Sequence, residues 1–235
     1  MPEQKVRHLG VIMDGNRRWA KQHMLKSVMG GHEKGVDTFI DLCEWCENAD
    51  IPYLTVYAFS TENFKRSQQE VSDLFKLMRR FFVEEIHTCI EKGVKVVVVG
   101  NLSYLKLEDI KVIRDAEEVT KDCGKLYLQI ALSYGGRDEI LRAAEAYARD
   151  VASGKASLDT PLTEKTFEQY LMTPGIPDID LVIRTGGDHR LSNFFPWQTT
   201  YADLWFTDVL WPDFSEKLLG EALQWYANVK VNKGK

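Results

Sequence analysis

Five arginines and three aspartates carry the chemistry this sequence offers. Arg17 and Arg18 follow the apolar run LGVIM at residues 9–13, Arg66 follows a second run, Arg184 ends the run LVIR, and Arg190 lies close behind it. Guanidinium forks match phosphate oxygens in bidentate fashion, and five of them exceed what one carboxylate needs. They point to more than one phosphate group. Asp14, Asp188 and Asp203 add hard oxygens expected in the same region. Mg²⁺ is usually held by one or two carboxylates plus substrate phosphates, so a Mg²⁺-diphosphate substrate suits both sets of charges. Taken singly, Arg17 and Lys65 also read as exposed charge, and Asp188 and Asp203 as turn caps or surface acids. That reading suits Arg184 least, because it ends an apolar strand.

Two further classes follow from the same residues. The chain has no G-x-x-x-x-G-K-[ST] phosphate loop and no G-x-G-x-x-G after its first strand, which disfavours ATP and NAD. Asp14 at a strand tip also suits a phosphohydrolase nucleophile. Such an enzyme would usually want a second acid two residues on, where this chain has Asn16. The hydrolase alternative stays open at this point.

These side chains need a scaffold that brings them together. Apolar, β-branched runs at residues 9–13, 53–59, 94–99, 126–132, 181–184 and 202–206 alternate with helical patterns at 36–49, 69–92, 106–121, 137–152, 163–172 and 215–229. Strands linked by crossover helices build a mostly parallel sheet. The expected fold is therefore α/β, a single domain over residues 1–235 with six strands flanked by helices. The segments DGNRRW, STENFKR, SYGGRD and RTGGDHRLSN each follow a strand, and all are rich in Gly, small hydroxyls and charge. Ligands of open parallel sheets bind outside the carboxyl ends of the strands, so these loops are expected to meet around one crevice.

Composition narrows the class further. At 235 residues the chain can bury a continuous core with a pocket beside it. A net charge of −5 and a pI near 5.6 give no global support for nucleic-acid binding, so no nucleic-acid partner is expected. No apolar segment approaches the ~20 residues that cross a bilayer, and the start MPEQKVRH lacks the apolar core of a secretory signal. The expected location is the cytosol. Cys43, Cys46, Cys89 and Cys123 are too few and too scattered for a disulfide framework. Cys43 and Cys46 share one face of a helical pattern and read as core or boundary packing.

The blocks MDGNRRWAK, YAFSTENFKR, SYGGRDEI and DLVIRTGGDHRLSNFFPWQTTYADLWFTDVLWPDF resemble, in order, the signature blocks of the cis-prenyltransferases, the undecaprenyl diphosphate synthase family. The resemblance runs from about residue 8 to 227. It implies an α/β fold with a hydrophobic product tunnel and a homodimer. It also implies Mg²⁺-dependent addition of isopentenyl diphosphate to an allylic diphosphate such as farnesyl diphosphate, forming cis double bonds. The resemblance implies undecaprenyl diphosphate as product, delivered to the membrane for the cell-wall lipid carrier by a protein in the cytosol or peripheral at the membrane's inner face.

By the same resemblance Asp14 holds Mg²⁺ and the allylic diphosphate, with Gly15, Asn16, Arg17 and Arg18 around that diphosphate and Trp19 and His32 nearby. Ser60, Thr61, Glu62, Asn63, Phe64 and Arg66 match the block that positions the reacting ends, Asn63 being the residue assigned to proton removal. Arg184, Arg190, Leu191 and Ser192 match the isopentenyl diphosphate site. Asp203 falls where the family has a Mg²⁺-associated glutamate, contributed across the sheet or the dimer.

Several positions depart from the family pattern. Val28 replaces a common arginine, leaving Lys26 as the nearest cation and a partial substitute. Phe64 stands where tryptophan is frequent, and Asp188 and Asp203 each replace glutamate. The tail ends ANVKVNKGK instead of an arginine-rich R-x-G, which makes Asn232 a candidate position for weakened isopentenyl diphosphate binding. Ala58, small and near the end of the second strand, permits a long product.

Overall fold

The computed structural model describes residues 5–229. Asn232, the candidate position in the tail, lies outside the described residues. Chain order begins β1 (His8–Ile12), α1 (Asn16–Gln22), α2 (Met29–Asn48), β2 (Tyr53–Ser60), α3 (Gln68–Arg80), α4 (Ile86–Lys92), β3 (Val94–Val99) and α5 (Leu107–Thr120). It continues through β4 (Leu126–Tyr134), α6 (Gly136–Ala152), α7 (Glu164–Phe167), β5 (Leu181–Arg184), β6 (Asp203–Phe206) and α8 (Glu216–Asn228). The strands form one six-stranded sheet in the order β3-β4-β2-β1-β5-β6, and every neighbouring pair is parallel.

Alternation along the strands sends side chains to two cores. Leu9, Val11, Leu54, Val56, Leu181 and Ile183 bury into the larger one, while Ile12, Val182, Ala131 and Tyr134 join Phe194 and Phe195 on the other face. Because the sheet is covered on both sides, its strands read as continuous apolar runs. Beneath β1 and β2 the buried His8 ring sits between the Pro177 carbonyl and Thr55 Oγ1, each at 2.7 Å.

The helices depart from the sequence pattern where packing overrides it. Residues 69–92 are not one helix: a π-helical turn at Phe81–Glu85 separates α3 from α4. That wider turn lets the adjacent Phe81 and Phe82 both bury. The pattern at 163–172 yields only α7 and a 3₁₀ turn at Glu168–Tyr170, because the Met172 N–H donates instead to the buried Glu139 carboxylate at 2.8 Å. α2 starts seven residues before the expected 36, over a glycine-rich stretch whose propensity is poor. One of those glycines explains the placement, since a Cβ on Gly31 would lie 2.1 Å from the Asn16 carbonyl oxygen. Without a side chain there, α2 presses directly against the start of α1.

Candidate active site

The carboxyl ends of β1, β2, β4 and β5 surround a cleft of about 750 Å³. Asp14 follows β1 on one wall with its backbone fixed. Its carbonyl accepts hydrogen bonds from Thr185 Oγ1 at 2.7 Å and from the Trp211 N–H at 3.0 Å. Gly15 then turns the chain with φ 115°, in the left-handed region, and a Cβ there would also meet the Leu210 Cα at 2.9 Å. The turn is confined to Gly15, and Asn16 already opens α1.

The Asp14 carboxylate begins a chain of alternating charges. Oδ1 lies 3.2 Å from Arg18 Nη2, and Oδ2 accepts from Arg184 Nη2 at 2.9 Å. Arg184, only 4% exposed, also donates from Nη2 to Asp188 Oδ2 at 3.2 Å. Its Nη1 donates to the Arg190 carbonyl and, at 2.8 Å, to Ser192 Oγ. Asp188 in turn holds the Arg190 guanidinium through both oxygens, at 3.0 and 2.8 Å. Three arginines against two aspartates leave this network positive, with forked donors already oriented toward an entering anion.

Across the cleft, Ser60 and Asn63 cap the 3₁₀ turn Thr61–Lys65 reciprocally, and the Ser60 N–H donates to Asn63 Oδ1 at 3.1 Å. Glu62 accepts from Asn193 Nδ2 at 3.1 Å and from Thr61 Oγ1 at 3.2 Å. Burial pushes the Glu62 carboxyl up, but its own backbone N–H, with Asn193, Ser60 and Thr61, outweighs that and holds it below the usual range. His32 is neutral at physiological pH, because burial, reinforced by the Arg66 charge, lowers its pKa to about 4. His32 Nε2, Asn16 Oδ1 and Arg184 Nε are buried without a hydrogen-bond partner among the described residues.

Asp14, Asn16, His32, Ser60, Glu62, Asn63, Arg66, Arg184 and Ser192 therefore line one cleft. Gly15, Arg17 and Arg18 line an adjoining recess of about 460 Å³ together with Asp188. Arg190 reaches this wall by way of Asp188, and Thr61 by way of Glu62. Other residues singled out in the sequence lie elsewhere. Trp19 donates to Asp213 Oδ1 at 2.7 Å and stacks on His23. Phe64 packs with Phe59, Phe75 and Tyr104, and Leu191 packs against the core cluster containing Phe194. Lys26 is exposed between α1 and α2 and lines neither hollow, whereas Lys21 does line the recess. Lys21 is four residues beyond Arg17 on α1 and shares its face, a relation visible only once a helix is recognised there.

Asp203 does not reach Asp14 across the sheet of one chain. It opens β6 and pairs with Leu181, whereas Arg184 pairs with Phe206 at the other end of the same ladder. Three residues of strand, about 10 Å of rise, separate it from the end where Asp14 lies. Within one chain the two carboxylates do not share a site, because a residue at the start of β6 lies at the end of the sheet opposite the cleft.

An apolar cavity of about 110 Å³ continues from the cleft between α2, α3 and β2, with Val36, Phe39, Leu77, Met78 and Phe82 in its walls. Met13, Asn16, His32, Ala58 and Leu74 belong to both hollows, so the polar cleft opens onto apolar space. The donors around Asp14 suit Mg²⁺. They offer a hard carboxylate beside cations for the phosphates that would complete the metal's shell.

A family model for undecaprenyl diphosphate synthases (Prenyltransf) matches residues 12–234. The chain belongs to that family. It is 44% identical to an isoprenyl transferase of Clostridium perfringens over 94% of this chain and 87% of the relative. It is 46% identical to a trans,polycis-polyprenyl diphosphate synthase, (2Z,6E)-farnesyl diphosphate specific, of Thermobifida fusca, over 94% and 78% of the two chains. Among solved structures, lavandulyl diphosphate synthase from Lavandula x intermedia, in complex with dimethylallyl diphosphate, superposes with a TM-score of 0.94. That pair is 33% identical and covers 98% of this chain and 99% of the other. Membership makes the chain an isoprenyl transferase acting on diphosphate substrates. No helix among the described residues is long and apolar enough to cross a membrane.

Proposed function

We propose that the chain condenses isopentenyl diphosphate with an allylic diphosphate, farnesyl diphosphate as starter, to build a cis-polyprenyl diphosphate of undecaprenyl length for the cell-wall lipid carrier. The observation that carries this reading is the continuity of the charged cleft with the apolar cavity through Met13, Ala58 and Leu74. A diphosphate head and a growing hydrocarbon tail need both environments side by side.

The allylic diphosphate is placed in the recess of Gly15, Arg17, Arg18 and Lys21, and the isopentenyl diphosphate against Arg184, Arg190 and Ser192. Arg18 is held beside Asp14 at 3.2 Å, so it meets the leaving diphosphate without reorganising. Mg²⁺ held by Asp14 and substrate phosphates would further stabilise the charge that builds on that leaving group. Asn63 would donate from Nδ2 to a diphosphate oxygen that takes the departing proton, while its Oδ1 accepts the Ser60 N–H. The apolar wall excludes water, which would otherwise hydrolyse the carbocation-like fragment before the second alkene attacks it.

The proposal extends to a homodimer that delivers its product to the inner face of the membrane from the cytosol. Edge strand β6, with Leu204 and the nearby Tyr201 exposed, is the surface offered to a second copy, which would also decide whether Asp203 approaches a metal. The test is labelled isopentenyl diphosphate supplied with farnesyl, dimethylallyl or geranylgeranyl diphosphate, and products resolved by thin-layer chromatography. Longer organic-extractable chains, with farnesyl diphosphate the best starter, are expected. Inorganic phosphate or diphosphate without elongation would instead mark a hydrolase.

A further inference from the structure

Cations in the cleft are mostly spoken for by carboxylates. Arg66 pairs with Glu70 at 3.1 Å, and Arg184 pairs with Asp14 and Asp188. Arg137 lines the same cleft, and its guanidinium makes no hydrogen bond or ion pair with any described residue. An anion entering the cleft therefore meets Arg137 without first breaking an existing pair.

Its position opposes local helix physics. Arg137 is the second residue of α6, where the positive end of the helix dipole disfavours a cation, while Asp138 and Glu139 in the same turn follow the usual preference. Folding alone gives no reason for an exposed arginine there. Its backbone, by contrast, is pinned. The Arg137 N–H donates to Asn193 Oδ1 at 2.9 Å, and the Gly136 N–H donates to the Asn193 carbonyl at 2.9 Å. Asn193 and its neighbour Ser192 both hold left-handed φ values, 69° and 52°, a costly conformation for side-chain-bearing residues. That strained pair ties Arg137 on one side to Ser192 Oγ and Arg184 on the other.

We propose that Arg137 is a further diphosphate-binding residue, contacting the isopentenyl substrate's phosphates from the side of the cleft opposite Arg18. The assignment rests on the prenyl-transfer reading above. The shared Asn193 support places it with Ser192 and Arg184, and Arg137 is absent from the lining of the recess that holds Arg17, Arg18 and Lys21.

Steady-state kinetics on Arg137→Ala and Arg137→Lys test this. Loss of one charged hydrogen-bonding group should raise the KM for isopentenyl diphosphate about 10–100-fold in Arg137→Ala, with the allylic KM and kcat within about threefold. Arg137→Lys should recover part of the loss, because it restores charge without the fork. The melting temperature of Arg137→Ala should stay level or rise, whereas a structural role would lower it. An unchanged KM for isopentenyl diphosphate, or an equal rise for both substrates, would overturn the assignment. Calorimetric titration of isopentenyl diphosphate alone separates this inference from the reading beneath it. If the unmodified chain binds that ligand but elongates nothing, the prenyl-transfer reading fails, and equal affinity in Arg137→Ala sinks the Arg137 role by itself.

Discussion

Asp14 Oδ2 accepts a hydrogen bond from Arg184 Nη2 at 2.9 Å, joining the residue that follows β1 to the last residue of β5. The two strands pair in parallel with Ile12 opposite Arg184, so the sheet's register itself sets this contact. The carboxylate is a third exposed toward the cleft while the guanidinium is buried. One partner is thus free to meet a ligand, and the other holds it in place.

Removing the buried partner should be costly. Arg184→Ala leaves Asp14 and Asp188 facing each other without their shared cation, and breaking a buried pair costs about 3–5 kcal/mol. Both carboxylates are partly solvated, so about 2–4 kcal/mol is expected here, read by urea denaturation at neutral pH. Arg184→Lys should recover less than half of this, lacking the fork that serves Asp14 and Ser192 together. A loss under 0.5 kcal/mol in Arg184→Ala would mean that the network adds nothing to folding.

Acid should destabilise the fold through His8. Burial lowers its pKa to about 4, against the partial opposition of the Pro177 carbonyl and the Asp180 charge, from an ordinary 6.5. The folded ring stays neutral while the unfolded ring takes a proton, so the stabilisation is complete above pH 6.5 and fades as pH falls toward 4. Between pH 7 and pH 5 His8 alone should account for a loss of about 2 kcal/mol. Urea unfolding of the unmodified chain and of His8→Gln at both pH values checks this. Parallel pH dependences would exclude His8 as the cause.

The sheet was legible because buried parallel strands are apolar on both faces. Residues 94–99 and 181–184 match β3 and β5 at both ends, and the loops after the strands converge as the parallel arrangement requires. α1 was hidden, because Gly15-Asn16 looks like a turn and only seven helical residues follow. The break at Phe81 was equally hidden, since two adjacent buried phenylalanines fit a continuous amphipathic pattern until the π-helical turn is seen. The separation of Asp203 from Asp14 within one chain was hidden for another reason. A sequence shows that an acid adjoins a strand, but which end of the sheet it occupies depends on the pairing with β5.

The recess separates two neighbouring lysines. Lys21→Ala should raise the KM for the allylic substrate several-fold, since its ammonium lines the hollow with Arg17 and Arg18. Lys26→Ala, exposed outside both hollows, should leave both KM values unchanged. Steady-state kinetics with each substrate varied in turn would show the reverse order if Lys26 replaces the family's missing arginine at Val28.

The most direct test of the account is single-turnover condensation of isopentenyl diphosphate with farnesyl diphosphate in the presence of Mg²⁺, run on the unmodified chain and on Asp14→Ala confirmed as folded. The unmodified chain should give extended, organic-extractable product. Asp14→Ala should react about 10²–10³-fold more slowly, by analogy with loss of one preorganised electrostatic stabiliser. Its allylic affinity should fall less, because Arg17, Arg18 and Lys21 remain. An unextended farnesyl chain from the unmodified protein, or near-normal turnover by Asp14→Ala, would contradict the placing of prenyl transfer at this carboxylate.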